Sequence, residues 1–333
     1  MGRFLAERLW SAVLTVLGAS IIAFVVLRAL PTDPARLIAG PFASEDVLAQ
    51  VRAQMGLDKP LVTQYLDYIV NFFTGDWGFS YAAGKDVLPL VAERLPASGE
   101  LALFAFTIAF SLAVLLTVLV SYSGSRVLDG LLRAASFVGV GVPPFWISLL
   151  FLMLFFETLG WFPGPVGRGP APPHVITGFY TFDYLLAGDI RGALTALRHL
   201  ALPGFALSLA SFGYLIRLLR ANLLDVVHEP FITVLHSKGV PAFSAHFRHI
   251  LPNAFLPTIT AGGLILAQLL GGSVLVEQIF TWPGIGTLVI DGITRQDYAV
   301  VQAFILLSAV IYIVVNFAVD LLYGWIDPRV RRS

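Results

Sequence analysis

The chain has 333 residues, of which 57% are hydrophobic and 13% are charged, and its formal net charge is zero. Soluble domains contain about 25% charged residues, so this composition predicts a membrane protein with several spans rather than a soluble protein with a large core. The balanced charge argues against nucleic acid as a partner, and the absence of cysteine excludes disulfides and thiol chemistry.

A helix that spans a bilayer needs about 20 predominantly apolar residues, and six stretches of the sequence meet this requirement. In chain order they are Leu9–Leu30, Glu100–Val120, Ala134–Leu159, Leu202–Leu224, Ala254–Val276 and Val300–Tyr323. The first begins like a signal peptide, but its apolar run is too long and has no small-residue cleavage site, so we expect a retained helix. Pro143 and Pro144 interrupt the third, and we expect neighbouring helices to satisfy the carbonyls that these prolines free.

The distribution of Lys and Arg predicts that both termini lie in the cytoplasm. With that orientation, the cytoplasmic segments contain 11 basic residues in 62 positions, whereas the outer segments contain 10 in 134. The basic tail, with Arg329, Arg331 and Arg332, supports the same orientation. The predicted fold class is therefore an all-α membrane protein with six transmembrane helices.

Two long outer regions separate these spans. The first, residues 31–99, is aromatic and mildly acidic, and a loop of this length is usually functional or folded in its own right. The second, Phe162–Arg198, is rich in proline and glycine before it turns helical near Leu185. Both lie where a periplasmic partner could dock; the alternative is a lid that only shields the helix ends.

Catalytic and metal sites are not expected in this chain. A phosphate-binding loop at Gly78–Asp86 is rejected because the glycine spacing is one residue too long and Asp86 replaces the Ser or Thr that binds magnesium. Four histidines lie between the fourth and fifth spans without a zinc-ligand pattern, and we interpret them as solvated: His228, His236, His246 and His249.

Ionisable residues in or beside the spans are the stronger functional candidates, because a charge in hydrocarbon is costly. Glu277 ends the fifth span and either faces a translocation path or forms a structural ion pair. We expect Asn316 and Asp320 to pair within the bundle, and Arg217 and Arg220 to anchor the fourth span at the interface. Small residues that permit close helix approach occur on the fifth span at Gly262, Gly263, Gly271 and Gly272.

A polar run, Phe231–Pro257, lies between the fourth and fifth spans and contains the pair Lys238-Gly239. The pattern predicts a short helix, a glycine turn and a second short amphipathic piece on the membrane face. Such a segment can act as a lever that a partner protein moves.

Blocks along nearly the whole chain resemble one family, and they occur in the right order. They are Leu30–Pro34, Met55–Leu61, Gly75–Ser80, Leu95–Ala97, Val142–Trp146, Arg198–Pro203, Glu277–Gly286, Arg295–Tyr298 and Asn316–Arg329. By these blocks the chain resembles the first of two related membrane permeases in bacterial ABC importers of the dipeptide, oligopeptide and nickel family.

The resemblance implies a type I importer permease in the bacterial inner membrane, in contact with the lipid bilayer. It implies a homologous second permease, two ABC ATPase subunits and a periplasmic or lipid-anchored solute-binding protein as partners. ATP and Mg would be held by the ATPase subunits, so no cofactor is expected in this chain. The domains would be residues 1–98, with the first helix and a long periplasmic region, and residues 99–333, the permease core with the coupling segment 225–253.

The resemblance also assigns roles to particular residues. The expected ATPase-coupling residues are Lys238, Gly239, Arg248, His249 and Asn253. The expected translocation or gating residues are Glu277, Trp282, Pro283, Gly284 and Asp320. The expected docking residues for the binding protein are Trp77, Phe79 and Tyr81. The segment departs from the family pattern at Leu235-His236-Ser237, where relatives carry an Ala-Arg-Ala core, so the identity of the ATPase is in question.

Peptides are the expected solute, because the run Thr177–Tyr180 in the second outer region, with Asp183 and Leu185-Leu186 after it, looks more like peptide-type members than nickel-type ones. Nickel chelates, glutathione or another small solute are the alternatives. A secondary transporter that works alone would be expected to have internal repeats or broken half-helices with ionisable residues at the midplane, and the sequence has no clear repeat. A membrane enzyme is disfavoured for want of a catalytic set.

Overall fold

The structure, a computed structural model, describes residues 2–29, 34–40 and 42–326. Two stretches used in the sequence analysis lie outside the described residues: residues 30–33, which begin the family block Leu30–Pro34, and the basic tail at 327–333. In chain order the elements are α1 (Gly2–Ala29), α2 (Pro34–Ala39), α3 (Glu45–Gln54), α4 (Leu61–Thr74), β1 (Phe79–Ser80), β2 (Lys85–Asp86), α5 (Val87–Ser123), α6 (Arg126–Gly141), α7 (Pro144–Phe151), α8 (Tyr180–Leu186), α9 (Ile190–Val227), α10 (Pro230–Ser237), α11 (Ala242–Ser244), α12 (Leu251–Gly272), α13 (Val274–Ile279), α14 (Ile285–Thr294) and α15 (Tyr298–Ile326).

Two π-helical turns and a short β-hairpin accompany the α-helices among the described residues. The π-helical turn Leu152–Thr158 continues α7, and a second one, Ala245–Ile250, joins α11 to α12. Strands β1 and β2 pair antiparallel, with Phe79 opposite Asp86. The described part of the chain is therefore mainly helical, as the sequence predicts.

Four helical stretches in the described residues are long and apolar enough to cross a membrane. They are Val87–Ser123, Ile190–Val227, Ala242–Gly271 and Tyr298–Val319. A bent pair, 126–141 with 144–158, raises the number to five if it counts as one span. Within α1 the apolar stretch is Trp10–Val26. It is slightly shorter than a typical membrane span, which needs about 20 residues.

The third predicted span is not a continuous helix. Its two halves, α6 and α7, meet at an angle of 103°. Val142 has φ −105° and ψ 123°, and Pro143 has φ −62° and ψ 140°, so both are extended, while Pro144 begins α7. A residue before proline is disfavoured in the helical region, and two consecutive prolines impose this restriction twice. The interruption predicted at Pro143 and Pro144 is therefore present, as a sharp break between two helices.

The second and fourth predicted spans lie inside longer helices. Helix α5 begins at Val87 and contains Pro96, and α9 begins at Ile190 and contains Pro203. The helical piece expected near Leu185 in the second outer region is thus divided between α8 and the first turns of α9.

The chain separates into two compact units. The first contains residues 1–96 and 283–313, and its core includes Val87, Val91 and Val300. The hydroxyl of Ser80 in β1 donates to the carboxylate of Asp297 at 2.6 Å, which fixes the hairpin to the start of α15. The division into functional regions 1–98 and 99–333 stays a prediction.

The second unit contains residues 97–282 and 314–333. Small residues line its core: Ala105, Ala109 and Ala113 recur every four positions on α5, and all three are buried. Such a stripe lets neighbouring helices approach closely. The close approach predicted on the fifth span occurs at Gly262, where an added Cβ would meet Phe110 at 3.1 Å.

Candidate functional site

The segment between α9 and α12 begins with α10 and then turns at Gly239. Gly239 has φ +72°, and its N–H donates to the carbonyl of His236 at 3.0 Å. The N–H of Val240 donates to the carbonyl of Leu235 at 3.1 Å. This is the left-handed helix ending that glycine adopts without strain, so the predicted short helix and glycine turn are both present.

The piece after this turn is not a separate amphipathic helix. Residues Ala242–Gly271 form one helical stretch, because the π-helical turn leads from α11 directly into α12. The segment is therefore joined rigidly to the fifth predicted span. A displacement of this part of the segment must move α12 as well.

Helix α10 packs against the membrane helices through its buried side chain Ile232. This residue shares a cluster with Leu219 and Leu223 of α9, Ile250 of the π-helical turn and Ala254 of α12. All five residues are less than 9% exposed. The short helix is thus attached to α9 and α12 by apolar contacts and not only by its chain connections.

The predicted coupling residues all lie on this segment. Lys238, Gly239 and Arg248 are exposed, whereas His249 is half-buried. The amide of Asn253 donates to the carbonyl of His249 at 2.6 Å, so these two are in contact. The role of the five residues in ATPase contact stays a prediction.

One of the four histidines interpreted as solvated is buried. His246 is 8% exposed, and its ring lies against Tyr122, 5.7 Å away, and Phe247, 5.1 Å away. His228 and His236 are exposed, in agreement with the prediction. His246 differs because it lies on the inner side of a helical turn that packs on α5.

Arg220 forms an ion pair with a neighbouring helix. Its Nε and one terminal nitrogen donate to the two carboxylate oxygens of Asp129 on α6, at 2.6 and 2.9 Å. This two-point ion pair connects α9 to α6, and the role of Arg220 as an anchor at the interface stays a prediction. Arg217 is exposed, with its guanidinium 5.8 Å from the ring of Tyr214.

Glu277 is fully buried near the end of α13. Its Oε1 accepts hydrogen bonds from the hydroxyls of Ser98 at 2.6 Å and Ser273 at 2.7 Å. Trp282 is 1% exposed, and its indole N–H donates to the carbonyl of Ala97 at 2.9 Å. Two polar contacts therefore hold the segment 273–282 against the N-terminal half of α5.

The other predicted gating residues are placed differently. Pro283 and Gly284 directly precede α14, and Gly284 is extended, with φ −100° and ψ −176°. Asp320 belongs to α15, but its side chain lies outside the described residues, as does the pairing expected with Asn316. The involvement of all five residues in translocation stays a prediction.

The three predicted docking aromatics differ in exposure. Phe79 is 42% and Tyr81 is 54% exposed, and their rings pack edge to face at 5.2 Å. Trp77 instead stacks on Phe72 at 4.8 Å, and its indole N–H donates to the carbonyl of Phe72 at 2.9 Å. The hairpin therefore presents the first two side chains to solvent, while Trp77 supports the underlying fold.

Sequence reasoning missed a buried ion pair beneath the second outer region. Arg168 pairs with Glu100 at the start of the second predicted span, and both side chains are less than 10% exposed. The guanidinium of Arg168 also donates to the carbonyl of Gly178 at 2.6 Å and lies 3.6 Å from the centre of the Tyr180 ring. The one available signal was Glu100 itself, since a carboxylate beside an apolar run requires a partner.

Asp183, whose structural role the sequence did not predict, organises the same loop. Its carboxylate accepts bonds from the N–H and hydroxyl of Thr177, at 2.8 and 2.7 Å, and from the N–H of Gly178 at 2.9 Å. Burial of Asp183 raises its pKa, but these hydrogen bonds outweigh burial and hold the pKa below its ordinary value. Among the side chains that the structure describes, no group of three His, Asp or Glu is placed to hold a metal ion.

Comparison with known proteins matches both parts of the chain to one kind of protein. Residues 112–332 match the family described as binding-protein-dependent transport system inner membrane component. Residues 1–102 match the N-terminal region of a membrane component of the same kind of system. This chain belongs to that family. The resemblance found in the sequence is confirmed, and this permease is a multi-pass protein of the inner membrane.

Relatives of this permease cover nearly its whole length. It is 38% identical over 332 residues to the probable D,D-dipeptide transport system permease protein DdpB of Escherichia coli (strain K12), with 99% of this chain and 97% of the relative covered. It is 37% identical over 333 residues to the di/tripeptide transport system permease protein DppB of Pseudomonas aeruginosa (strain UCBPP-PA14), with 99% of each covered. It is 35% identical over 333 residues to the oligopeptide transport system permease protein AppB of Bacillus subtilis (strain 168), with 99% of this chain and 100% of the relative covered.

Proposed function

We propose that this permease is one of two transmembrane subunits of an ATP-driven importer of di- and oligopeptides. The observation that carries the proposal is full-length similarity, at 35–38% identity, to relatives named for dipeptide, di/tripeptide and oligopeptide transport. A homologous second permease encloses the pathway with it, and a solute-binding protein delivers the peptide from outside. Two ABC ATPase subunits hold ATP and Mg, so this chain itself hydrolyses nothing.

The coupling segment is the point where the ATPase acts on this chain. Helix α10 has two apolar sides: Ile232 is buried against α9 and α12, whereas Phe231 and Val234 are 38% and 51% exposed. The exposed side suits a hydrophobic groove on a partner, and the buried side passes its displacement into the bundle. Decisive movement of a two-state equilibrium requires about 5 kcal/mol of differential binding, which closure of the ATPase pair around ATP can supply.

The turn at Gly239 provides a test of coupling with a matched control. An added Cβ at Gly239 has no atom within 4 Å, so any effect of a substitution comes from the backbone at φ +72°. Valine is strongly disfavoured in this conformation, whereas asparagine tolerates it. In proteoliposomes with all partners, Gly239→Val should hydrolyse ATP with little peptide uptake, while Gly239→Asn should remain coupled. Normal coupled uptake by Gly239→Val would contradict the assignment.

We also infer six spans with both termini in the cytoplasm. The count combines the four long apolar helices with the bent pair α6 and α7 and with α1, and the orientation follows the excess of basic residues on one side. Because the chain has no cysteine, single cysteines can be labelled without background. In intact cells an impermeant maleimide should label Ala83→Cys and leave Ser237→Cys unlabelled until the membrane is opened. The reverse pattern would refute the orientation.

A secondary transporter that works alone is the second candidate, because the bent pair α6 and α7 resembles the broken helices on which such transporters rely. Copurification separates the two candidates, since a transporter of that class would not retain an ATPase. Among importers, nickel chelates, glutathione and other small solutes are the alternatives to peptides. Competition of labelled dipeptide uptake by each solute decides between them.

A further inference from the structure

A pocket of about 220 Å³ lies between α5, α6 and α9, near the end of α9 that leads to the coupling segment. Its inner wall is apolar and includes Val120, Leu132 and Leu223. Its mouth is polar and includes Ser125 and Arg126 at the start of α6. The pocket therefore suits a ligand that is apolar at one end and polar at the other.

A buried hydroxyl in this pocket has no protein partner. Thr117 of α5 lines the pocket and is 1% exposed, yet its Oγ1 forms no hydrogen bond within the described part of the chain. A buried hydroxyl left without a partner costs about 1–3 kcal/mol. An acceptor atom from a bound molecule would remove this cost.

The mouth of the pocket favours an anion. Ser125 caps α6, and its Oγ accepts the N–H of Leu128 at 3.4 Å, so the positive end of the helix dipole faces this region. Arg126 is exposed, and no ion pair involves it among the described residues. Arg220 also lines the pocket, but its guanidinium is held by the carboxylate of Asp129, which Arg133 contacts as well. Arg126 is therefore the cation that can serve an external anion.

The surroundings indicate a lipid rather than a soluble anion. Val127 and Leu131 on α6 are 73% and 62% exposed, and both lie within one or two turns of Arg126. An acyl chain would cover these apolar side chains, whereas free phosphate would leave them in water. Basic pockets between transmembrane helices on the cytoplasmic side are typical binding sites for anionic headgroups.

We propose that this pocket binds an anionic phospholipid, with its phosphate beside Arg126 at the start of α6 and an ester carbonyl accepting a hydrogen bond from Thr117. The choice of the cytoplasmic leaflet rests on the orientation given under the proposed function. The binding itself needs neither ATP nor peptide. The lipid would hold α5, α6 and α9 together next to the segment that receives force.

The test uses the full-length permease purified in detergent and stripped of lipid. Native mass spectrometry then measures binding of dioleoyl phosphatidylglycerol and of dioleoyl phosphatidylcholine, and thermal unfolding measures stabilisation by each lipid and by inorganic phosphate. The variants are Arg126→Gln and Thr117→Val, which remove the charge and the hydroxyl. Arg217→Gln is the control, since Arg217 is an exposed arginine of α9 that does not line the pocket and does not contact Asp129.

The wild-type chain and the control variant should prefer phosphatidylglycerol, and Arg126→Gln should bind it about tenfold more weakly, as expected for loss of one charge-assisted contact. Thr117→Val should weaken binding of both lipids, because both carry ester carbonyls. Unchanged lipid binding in both pocket variants would overturn the proposal, as would equal stabilisation by inorganic phosphate. If the wild-type permease bound the lipid but imported no peptide when assembled with its partners, only the proposed function would be refuted, and the lipid site would stand.

Discussion

The crossing of α6 and α9 allows a prediction whose size can be worked out from distances. At Gly139 an added Cβ would lie 2.5 Å from the carbonyl oxygen of Leu209 and 3.1 Å from the Cα of Gly213. Carbon–oxygen contacts normally begin at about 3.3 Å. The substitution Gly139→Ala must therefore separate the two helices by about 0.8 Å.

This separation also affects a hydrogen bond across the crossing. The hydroxyl of Ser136 donates to the carbonyl of Gly213 at 2.6 Å, and the shift would lengthen this distance toward about 3.4 Å, where little of the bond survives. Loss of such a bond costs about 1 kcal/mol, and overpacking a tight contact costs about 1–3 kcal/mol. We expect Gly139→Ala to lower the free energy of unfolding by about 2–4 kcal/mol.

The same helix supplies the controls. At Gly130 and Gly141 an added Cβ would meet nothing within 4 Å. Alanine at these positions should be neutral or stabilise the helix by up to about 1 kcal/mol, because glycine has more conformational freedom to lose. Thermal unfolding of the purified variants in detergent measures the difference. If Gly139→Ala unfolded at the same temperature as Gly141→Ala, the close crossing would not exist in the protein.

Three further predictions concern the two regions that the sequence predicts to lie outside the membrane. Arg168→Gln leaves the buried carboxylate of Glu100 without its cation and should destabilise the permease by about 3–5 kcal/mol, seen as a lower melting temperature. The pKa of Asp183 is lower in the folded protein than in the unfolded chain, where it is about 3.9, so the ionised carboxylate stabilises the fold. This stabilisation is complete above the unfolded pKa and is lost as the pH falls through the folded pKa. The difference in melting temperature between the wild type and Asp183→Asn should therefore be largest at neutral pH and shrink in acid. Tyr81→Ala should weaken binding of the solute-binding protein at an unchanged melting temperature, whereas Trp77→Ala should lower the melting temperature.

The features that sequence predicted correctly depend on local information. Apolar runs predicted the helices, because a span requires a continuous stretch of one composition. Lys238 and Gly239 predicted a turn, because glycine adopts a positive φ such as +72° at no steric cost, and the turn lies there. The family blocks worked for the same reason, since each is a short run of neighbouring residues.

The features that sequence missed depend on partners far apart in the chain. Glu100 and Arg168 are 68 residues apart, and Asp129 and Arg220 are 91 apart, so no spacing rule connects them. His246 looked solvated because it belongs to a segment interpreted as a polar loop, but tertiary packing brings the ring of Tyr122 against it. The interruption at Pro143 and Pro144 was predicted, but the angle of 103° was not, because it depends on how the two helices pack on the rest of the chain.

Force applied to α10 would pass through the second unit by way of buried apolar side chains and of the backbone contact between α6 and α9. Ile232 attaches α10 to α9 and α12, and α9 meets α6 at Gly213, with the ion pair of Arg220 and Asp129 about two turns away. Close-packed contacts of this kind deform little, so a displacement moves the packed helices together instead of being absorbed in rotamer changes. An alanine at Gly139 that separates α6 from α9 should therefore reduce the uptake obtained per ATP hydrolysed, in addition to lowering stability.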